Sequence, residues 1–164
     1  MEKITAILND FLEQFGLTAE ASEDFHYNFD KNIVGYSLLA PAEGVEYLTE
    51  FVKSIAPDIT CDIFLLSLLH EIGHSETWET LEEEEEVVCR NTKFRISRMM
   101  DNASEELLKE LYFTYFGLVD EYEATMWAIN YMRKNVDMIS NFWNKLQAEI
   151  IEFYVREGLD LNGC

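Results

Sequence analysis

Apolar residues recur at helical spacing along most of this chain, and that periodicity constrains its fold more than any other feature. In the first such stretch, residues 3–16, the apolar side chains lie on one side of a helix: Ile4, Ile7, Leu8, Phe11, Leu12 and Phe15. The 164 residues include only two prolines and seven glycines, so few positions interrupt a helix. We therefore expect one predominantly helical domain over residues 1–164, which is long enough to bury a core.

Further helices are predicted downstream from apolar periodicity and capping residues. Their spans are about 44–55, 62–79, 80–99, 104–134 and 137–157. Asp62 and Thr80 are suited to cap two of these helices, and Ser104 begins a third. Gly117 is expected to bend the long span 104–134. In the span 62–79, the positions expected to be buried are Phe64, Leu65, Leu68, Leu69 and Ile72.

One segment, residues 24–38, alternates in the way a β-hairpin does. Its aromatic residues Phe25, Tyr27 and Phe29 are separated by polar residues, and a polar turn precedes a second apolar run. The sequence therefore predicts an α+β fold that is predominantly helical and carries a short β-hairpin.

The chain is strongly acidic. Twelve lysines and arginines against 32 acidic residues give a formal net charge of −20. Such a field repels nucleic-acid phosphates and anionic membranes, so we expect neither as a partner. The charge favours solubility, but it leaves open that the chain mimics DNA and binds a basic partner. The run Glu82–Glu86 is typical of a solvated helix face, and the alternative is an acidic rim for basic substrates.

The cysteines and the chain start bear on the cellular compartment. Cys61, Cys89 and Cys164 form no C-x-x-C pair, which indicates neither a disulfide framework nor a thiolate zinc cluster. The first residues lack the pattern of a signal peptide, and no apolar run is long enough to span a bilayer. We expect a cytoplasmic protein.

The segment His70-Glu71-Ile72-Gly73-His74 has the pattern H-E-x-x-H within a predicted helix. Four residues make just over one helical turn, so both imidazoles project from one face, about 6 Å apart at Cβ. Two nitrogens at that separation can reach one zinc ion at about 2.0–2.1 Å. Glu71 lies beside them and can remove a proton from a zinc-activated water. The sequence therefore predicts a zinc site with His70 and His74 as ligands and Glu71 as general base.

A catalytic zinc site usually has three protein ligands and one open position. The metzincin pattern would place a glycine at 77 and a histidine at 80, but both positions are threonine. The remaining histidine, His26, lies in the predicted hairpin, where a solvated strand residue is more typical than a ligand. A carboxylate from another helix is the better candidate for the third ligand.

The segment Val119–Ala128 supplies three acidic residues inside an otherwise apolar helix. Glu121 shares a stripe with the small residues Ala124 and Ala128, whose spacing suits close packing against a second helix. Glu123 is rotated from that stripe by about 200° and is expected to face solvent. Glu121 is therefore the predicted third ligand. The alternatives are Asp120, Glu123 and His26.

These two motifs together resemble those of gluzincin-type metallopeptidases. H-E-I-G-H followed about forty to fifty residues later by E-Y-E-A-T-M-W-A is most similar to the ImmA/IrrE family, where H-E-x-G-H precedes E-x-x-A-N-x-F-A. The resemblance covers residues 62–130 and implies a zincin-like domain with His70, His74 and Glu121 as zinc ligands and Glu71 as catalytic base. It departs from the family at Thr125, where Asn or Asp is usual and orients a ligand.

The resemblance also implies a function. Members of that family often cleave one regulatory protein, such as a repressor, so we expect a zinc-dependent peptidase that hydrolyses an amide bond in a specific protein or peptide substrate. Two other functions stay open: a zinc-binding interaction protein without catalysis, and the acidic DNA mimic. The sequence does not indicate an oligomeric state.

Overall fold

The computed structural model describes residues 1–38 and 44–159, and this part of the chain is predominantly helical with a small sheet. The helices are α1 (Glu2–Leu12), α2 (Val45–Ile55), α3 (Ile63–Thr77), α4 (Glu83–Met100), α5 (Glu105–Phe116), α6 (Val119–Lys134) and α7 (Val136–Glu157). The strands are β1 (Thr18–Ala21), β2 (His26–Asn28) and β3 (Ile33–Tyr36). The predicted α+β composition is confirmed.

The sheet has the strand order β1-β3-β2. β2 and β3 are antiparallel and pair His26 with Gly35, which confirms the predicted hairpin. β1 runs parallel to β3 and was not predicted. Its sequence, Thr-Ala-Glu-Ala, is short, mostly exposed and poor in residues that favour strands, so it carries no local signal. Because β3 lies in the middle, β2 is an edge strand.

The core is built around α3, which is buried on nearly every side. Leu66, Leu68, Leu69 and Ile72 are each at most 1% exposed. Four of the five predicted buried positions are confirmed, and Phe64 is the exception because it is only partly buried, with its ring against Phe25. α6 packs along α3, and α1 packs against α7.

The helix starts agree with the capping prediction at two positions and disagree at a third. Asp62 accepts a hydrogen bond from the Phe64 amide at 2.8 Å, and Ser104 caps α5. The prediction for Thr80 is wrong, since its hydroxyl donates to the Thr77 carbonyl in a short 3-10 turn after α3. α4 begins later, where Glu82 and Glu85 form a capping box.

The predicted long helix over 104–134 is two helices. α5 ends at Phe116, and Leu118 takes an extended conformation before α6 begins. A break, rather than a bend at Gly117, therefore separates them. The new start puts Asp120 and Glu121 in the first turn of α6, where the helix dipole favours acidic side chains.

Within residues 1–38 and 44–159, no helix combines the length and apolar character that crossing a membrane requires. Cys61 and Cys89 are free thiols. Cys164 lies outside the described residues.

Candidate metal centre

Helices α3 and α6 approach each other closely at a glycine. A Cβ atom built on Gly73 would lie 2.3 Å from the carbonyl oxygen of Ala124, a distance that no side chain can occupy. Ala124 and Ala128 are fully buried in the same contact, as their small size and spacing predicted. The close approach brings the first turn of α6 to the histidines of α3.

Three side chains meet where these helices cross. The ligand atoms of His70, His74 and Glu121 all lie within 4.8 Å of one another, so this group can hold a metal ion. The Glu121 Oε2 atom is 3.0 Å from His70 Nε2 and 3.5 Å from His74 Nε2. The structure therefore brings together the three residues predicted as ligands from two helices distant in sequence.

Burial and charge act together on this group. His70 is 4% and Glu121 3% exposed. Burial alone raises the pKa of Glu121, but hydrogen bonds with His70 and His74, together with their positive charge, hold it well below its usual range. Burial lowers the pKa of His74, but the hydrogen bond and negative charge of Glu121 outweigh it and raise that pKa overall. Glu121 is therefore a carboxylate at neutral pH, the form that binds metals.

Thr125 fixes the orientation of one imidazole. Its hydroxyl lies 3.1 Å from Nδ1 of His70, and its side chain is fully buried. When Nε2 of His70 binds a metal ion, Nδ1 carries the proton and can donate a hydrogen bond to the Thr125 hydroxyl, which holds the ring in that orientation. Thr125 thus connects the middle of α6 to the His70 ring on α3.

Lys93 is the main residue of this site that the sequence prediction missed. Its ammonium group bonds Oε1 of Glu121 and lies 2.5 Å from Oδ2 of Asp120. The two carboxylate oxygens of Glu121 therefore have different partners, with Oε2 facing the histidines and Oε1 held by Lys93. Burial lowers the pKa of Lys93, but the charges of Glu121 and Asp120 outweigh it and raise that pKa, so the side chain stays cationic.

A signal for Lys93 does exist in the sequence. Cys89 and Ile96 are the buried residues of α4, and Lys93 lies between them on the same helix face. A lysine in the middle of a packing stripe needs a buried anionic partner. The partner could not be identified without knowing that α4 packs against the start of α6.

Asp120, Glu123 and His26, the alternative third ligands, lie apart from the histidine pair. Asp120 is directed at Lys93 and accepts a hydrogen bond from the Glu121 amide at 2.9 Å. Glu123 is exposed, as predicted. His26 hydrogen-bonds Asp24 at 3.2 Å, and its ring lies over Gly35. The metal-capable group found among the described residues contains none of the three.

A cleft of about 380 Å³ opens over the three-residue group. Glu71 is half-buried at its wall, next to the histidines. The edge strand β2 contributes His26 and Tyr27 to the lining. The aromatic residues that line the cleft are Phe25, Tyr27, Phe29, Trp78, Tyr112, Tyr115 and Phe116.

Tyr115 lies in this cleft beside the carboxylates. Burial raises its pKa, and the negative charge of Glu121 and a hydrogen bond with it raise that pKa further. The Lys93 ammonium lies 5.1 Å from the centre of its ring, in the range of a cation–π contact. The phenol is thus protonated at all ordinary pH values and can act as a hydrogen-bond donor.

Comparison of the chain with models of protein families, with curated proteins and with solved structures found no match.

We predict that Gly73→Ala lowers the free energy of unfolding by about 2 kcal/mol, because its methyl group would overlap the Ala124 carbonyl and force the helices apart. The same displacement should weaken the binding of divalent metal ions, since Glu121 moves away from the histidines. Gly117→Ala is the control, because its Cβ would have 3.2 Å to the nearest atom, the Phe113 carbonyl oxygen. Chemical denaturation and metal titration measure both effects. Equal losses for the two variants would contradict the role of the close approach.

We predict that Lys93→Met lowers the free energy of unfolding by about 3 kcal/mol, because it leaves Asp120 and Glu121 buried side by side without their cation. Arg90→Met, one helical turn earlier on α4, removes an exposed cation and should change stability by less than about 0.5 kcal/mol. Urea denaturation of both variants measures the difference. A Lys93→Met protein as stable as Arg90→Met would show that the buried acids need no countercharge.

Proposed function

We propose that this chain is a zinc-dependent peptidase with His70, His74 and Glu121 as its metal ligands. The observation that carries the proposal is the convergence of three ligand atoms within 4.8 Å, at the base of a cleft that Glu71 also lines. Two histidines and one carboxylate are a common donor set of catalytic zinc sites, and they leave a coordination position open.

Zinc fits this donor set better than harder cations do. Magnesium and calcium prefer oxygen ligands, whereas two imidazoles and one carboxylate suit zinc and other transition metals. The hydrogen bond of Thr125 to His70 and that of Lys93 to Glu121 are the outer contacts that fix ligand orientation in such sites. We assign zinc because four-coordinate N and O sites are typical of it.

Bound zinc would polarise a water molecule and the carbonyl group of an amide. Glu71 then accepts the proton of the water that attacks the carbonyl carbon, and returns it to the leaving nitrogen as the C–N bond breaks. Tyr115 lies in the same cleft, but its one hydroxyl proton is donated to Glu121, so we assign it to the support of that ligand and not to the oxygen that gains negative charge. Each step uses a side chain that lines the cleft.

The substrate we propose is an extended segment of a protein or peptide. β2 is an edge strand on the cleft wall, so its free backbone groups can pair with an extended chain. Phe29 and Trp78 lie at that wall with ring centroids 4.1 Å apart, and Phe29 is 42% exposed. This pair offers an apolar surface for a substrate side chain.

A zincin-like fold and a relationship to the ImmA/IrrE family are part of the same proposal. They are supported by H-E-x-x-H on α3, by Glu121 on a second helix packed against it, and by the small edge-strand sheet beside the cleft. Action on a single regulatory protein follows from the resemblance alone.

The test is the hydrolysis of a quenched fluorescent peptide library by Glu71→Gln and by the wild type, both loaded with zinc. We expect Glu71→Gln to keep its zinc and to lose about 10²–10⁴-fold in rate, the usual contribution of a general base. Glu76→Gln changes an exposed glutamate on the same helix and should leave the rate unchanged. Full activity of Glu71→Gln would exclude Glu71 as the base. A zinc-loaded wild type that cleaves nothing would instead favour the non-catalytic zinc-binding protein.

A further inference from the structure

The outer face of α4, turned away from the metal centre, has separated charges. The first turn of α4 is acidic, with Glu83 and Glu84, whereas its second half carries Arg95 and Arg98. None of these four side chains makes an ion pair with any residue in the described ranges, 1–38 and 44–159. Both arginines are exposed, and the Arg98 guanidinium lies 5.8 Å from the centre of the Phe94 ring. Without an ion pair of their own, they are available to an acidic group of a partner.

The same face is also apolar at its centre. Val88 is 60% and Phe94 63% exposed, while Val87 and Met99 are 39% and 54% exposed. Successive residues of a helix are about 100° apart around its axis. On α4, the exposed apolar side chains and the four charged ones all project within about 80° of the direction in which Asn91 projects. This stripe, which we call the outer α4 stripe, consists of Glu83, Glu84, Val87, Val88, Asn91, Phe94, Arg95, Arg98 and Met99.

The outer α4 stripe is complementary to itself when two copies run antiparallel. A two-fold axis through Asn91 pairs Glu84 with Arg98, since each is seven positions from Asn91. The same axis brings Val87 of one copy beside Phe94 of the other, because both side chains lie on the same side of the stripe, four and three positions from Asn91. An isologous contact makes every such pair twice, and antiparallel helices also bring opposite ends of their dipoles together.

We propose that the outer α4 stripe is the interface of a homodimer, formed by antiparallel packing of α4 from two copies of this chain. Glu84 and Arg98 form ion pairs at the two ends, Val87 and Phe94 form the apolar contact between them, and the two Asn91 side chains meet on the axis. The inner face of α4 stays with its own chain through Cys89, Lys93 and Ile96. The proposal does not depend on the peptidase function.

The expected dimer is weak and sensitive to salt. α4 has 18 residues and is thus about 27 Å long, so one pair of such helices buries no more than a small interface, near the lower limit of about 1,200 Å². Exposed ion pairs are screened as ionic strength rises. The two chains, each of net charge −20, also repel one another at long range, and this repulsion is strongest at low salt. We therefore expect dissociation in roughly the micromolar range at near-physiological ionic strength, and weaker association at low salt.

Sedimentation velocity of the full chain over a range of concentrations tests this proposal. The wild type should approach twice its monomer mass of 19.2 kDa as concentration rises at near-physiological ionic strength. Glu84→Arg and Arg98→Glu should each raise the dissociation constant by about tenfold or more, because each places like charges together at both ends. The double variant Glu84→Arg/Arg98→Glu exchanges the charges and should regain the dimer.

Matched controls separate this effect from changes in helix stability. Glu106→Arg is the control for Glu84→Arg, because each reverses an exposed charge at the second position of its helix. Lys134→Glu is the control for Arg98→Glu, because each reverses an exposed charge in the last turn of its helix. Both controls should dimerise like the wild type, and circular dichroism reports the helicity of each variant. A wild type that stays monomeric at every concentration would overturn the proposal and assign the stripe to a different partner. Dimers that tolerate both single reversals, or a double variant that stays monomeric, would also overturn it.

Discussion

The contact between Gly73 and the carbonyl oxygen of Ala124 sets the distance between α3 and α6, and the candidate site depends on that distance. A carboxylate side chain is short, so Glu121 reaches two imidazoles on α3 only if the helix backbones nearly touch. The glycine inside H-E-I-G-H and the alanines of α6 therefore serve the site through packing. Two buried helices with small facing residues also make a stiff support, which a metal site needs if its ligands are to keep their geometry.

A second constraint is the charge that this packing buries. Asp120 and Glu121 are adjacent, are at most 7% exposed, and belong to a chain with a net charge of −20. Lys93 supplies positive charge beside both carboxylates, and the two histidines hydrogen-bond Glu121. Lys93 comes from α4, whose other residues are mostly exposed, so the ion pairs do much to hold that helix to the body of the protein. The outer side of α4 is thereby left free for another contact.

Patterns within a single helix were enough to predict those features of the site that involve residues of one helix only. The spacing of His70 and His74 placed both rings on one face, and the stripe containing Ala124 and Ala128 predicted which of three acids lies beside them. The fold class followed from apolar periodicity, and the hairpin from alternation. Each of these patterns is complete within about twenty residues.

The features that escaped prediction depend on contacts between distant segments. Lys93 is explicable only through its partners 27 and 28 positions later, and β1 exists because it pairs with β3 rather than because its own residues favour a strand. A bend at Gly117 was predicted, but the helix ends at Phe116. Leu118 is extended, so α6 begins as a separate helix at Val119. Thr80 was predicted to cap α4, but its hydroxyl donates to the Thr77 carbonyl in the preceding turn. Glu82 is the N-cap of α4 instead.

The most direct test of the central claim is the metal content of the purified protein, measured by inductively coupled plasma mass spectrometry. The site described here predicts about one zinc ion per chain in the wild type, none in His74→Ala and a strongly reduced amount in Glu121→Ala. Glu123→Ala, which removes an exposed acid two positions away, should keep the full amount. A wild type that holds no zinc after it is added and the excess removed, or a Glu121→Ala protein that binds zinc as fully as Glu123→Ala, would contradict the three-ligand site.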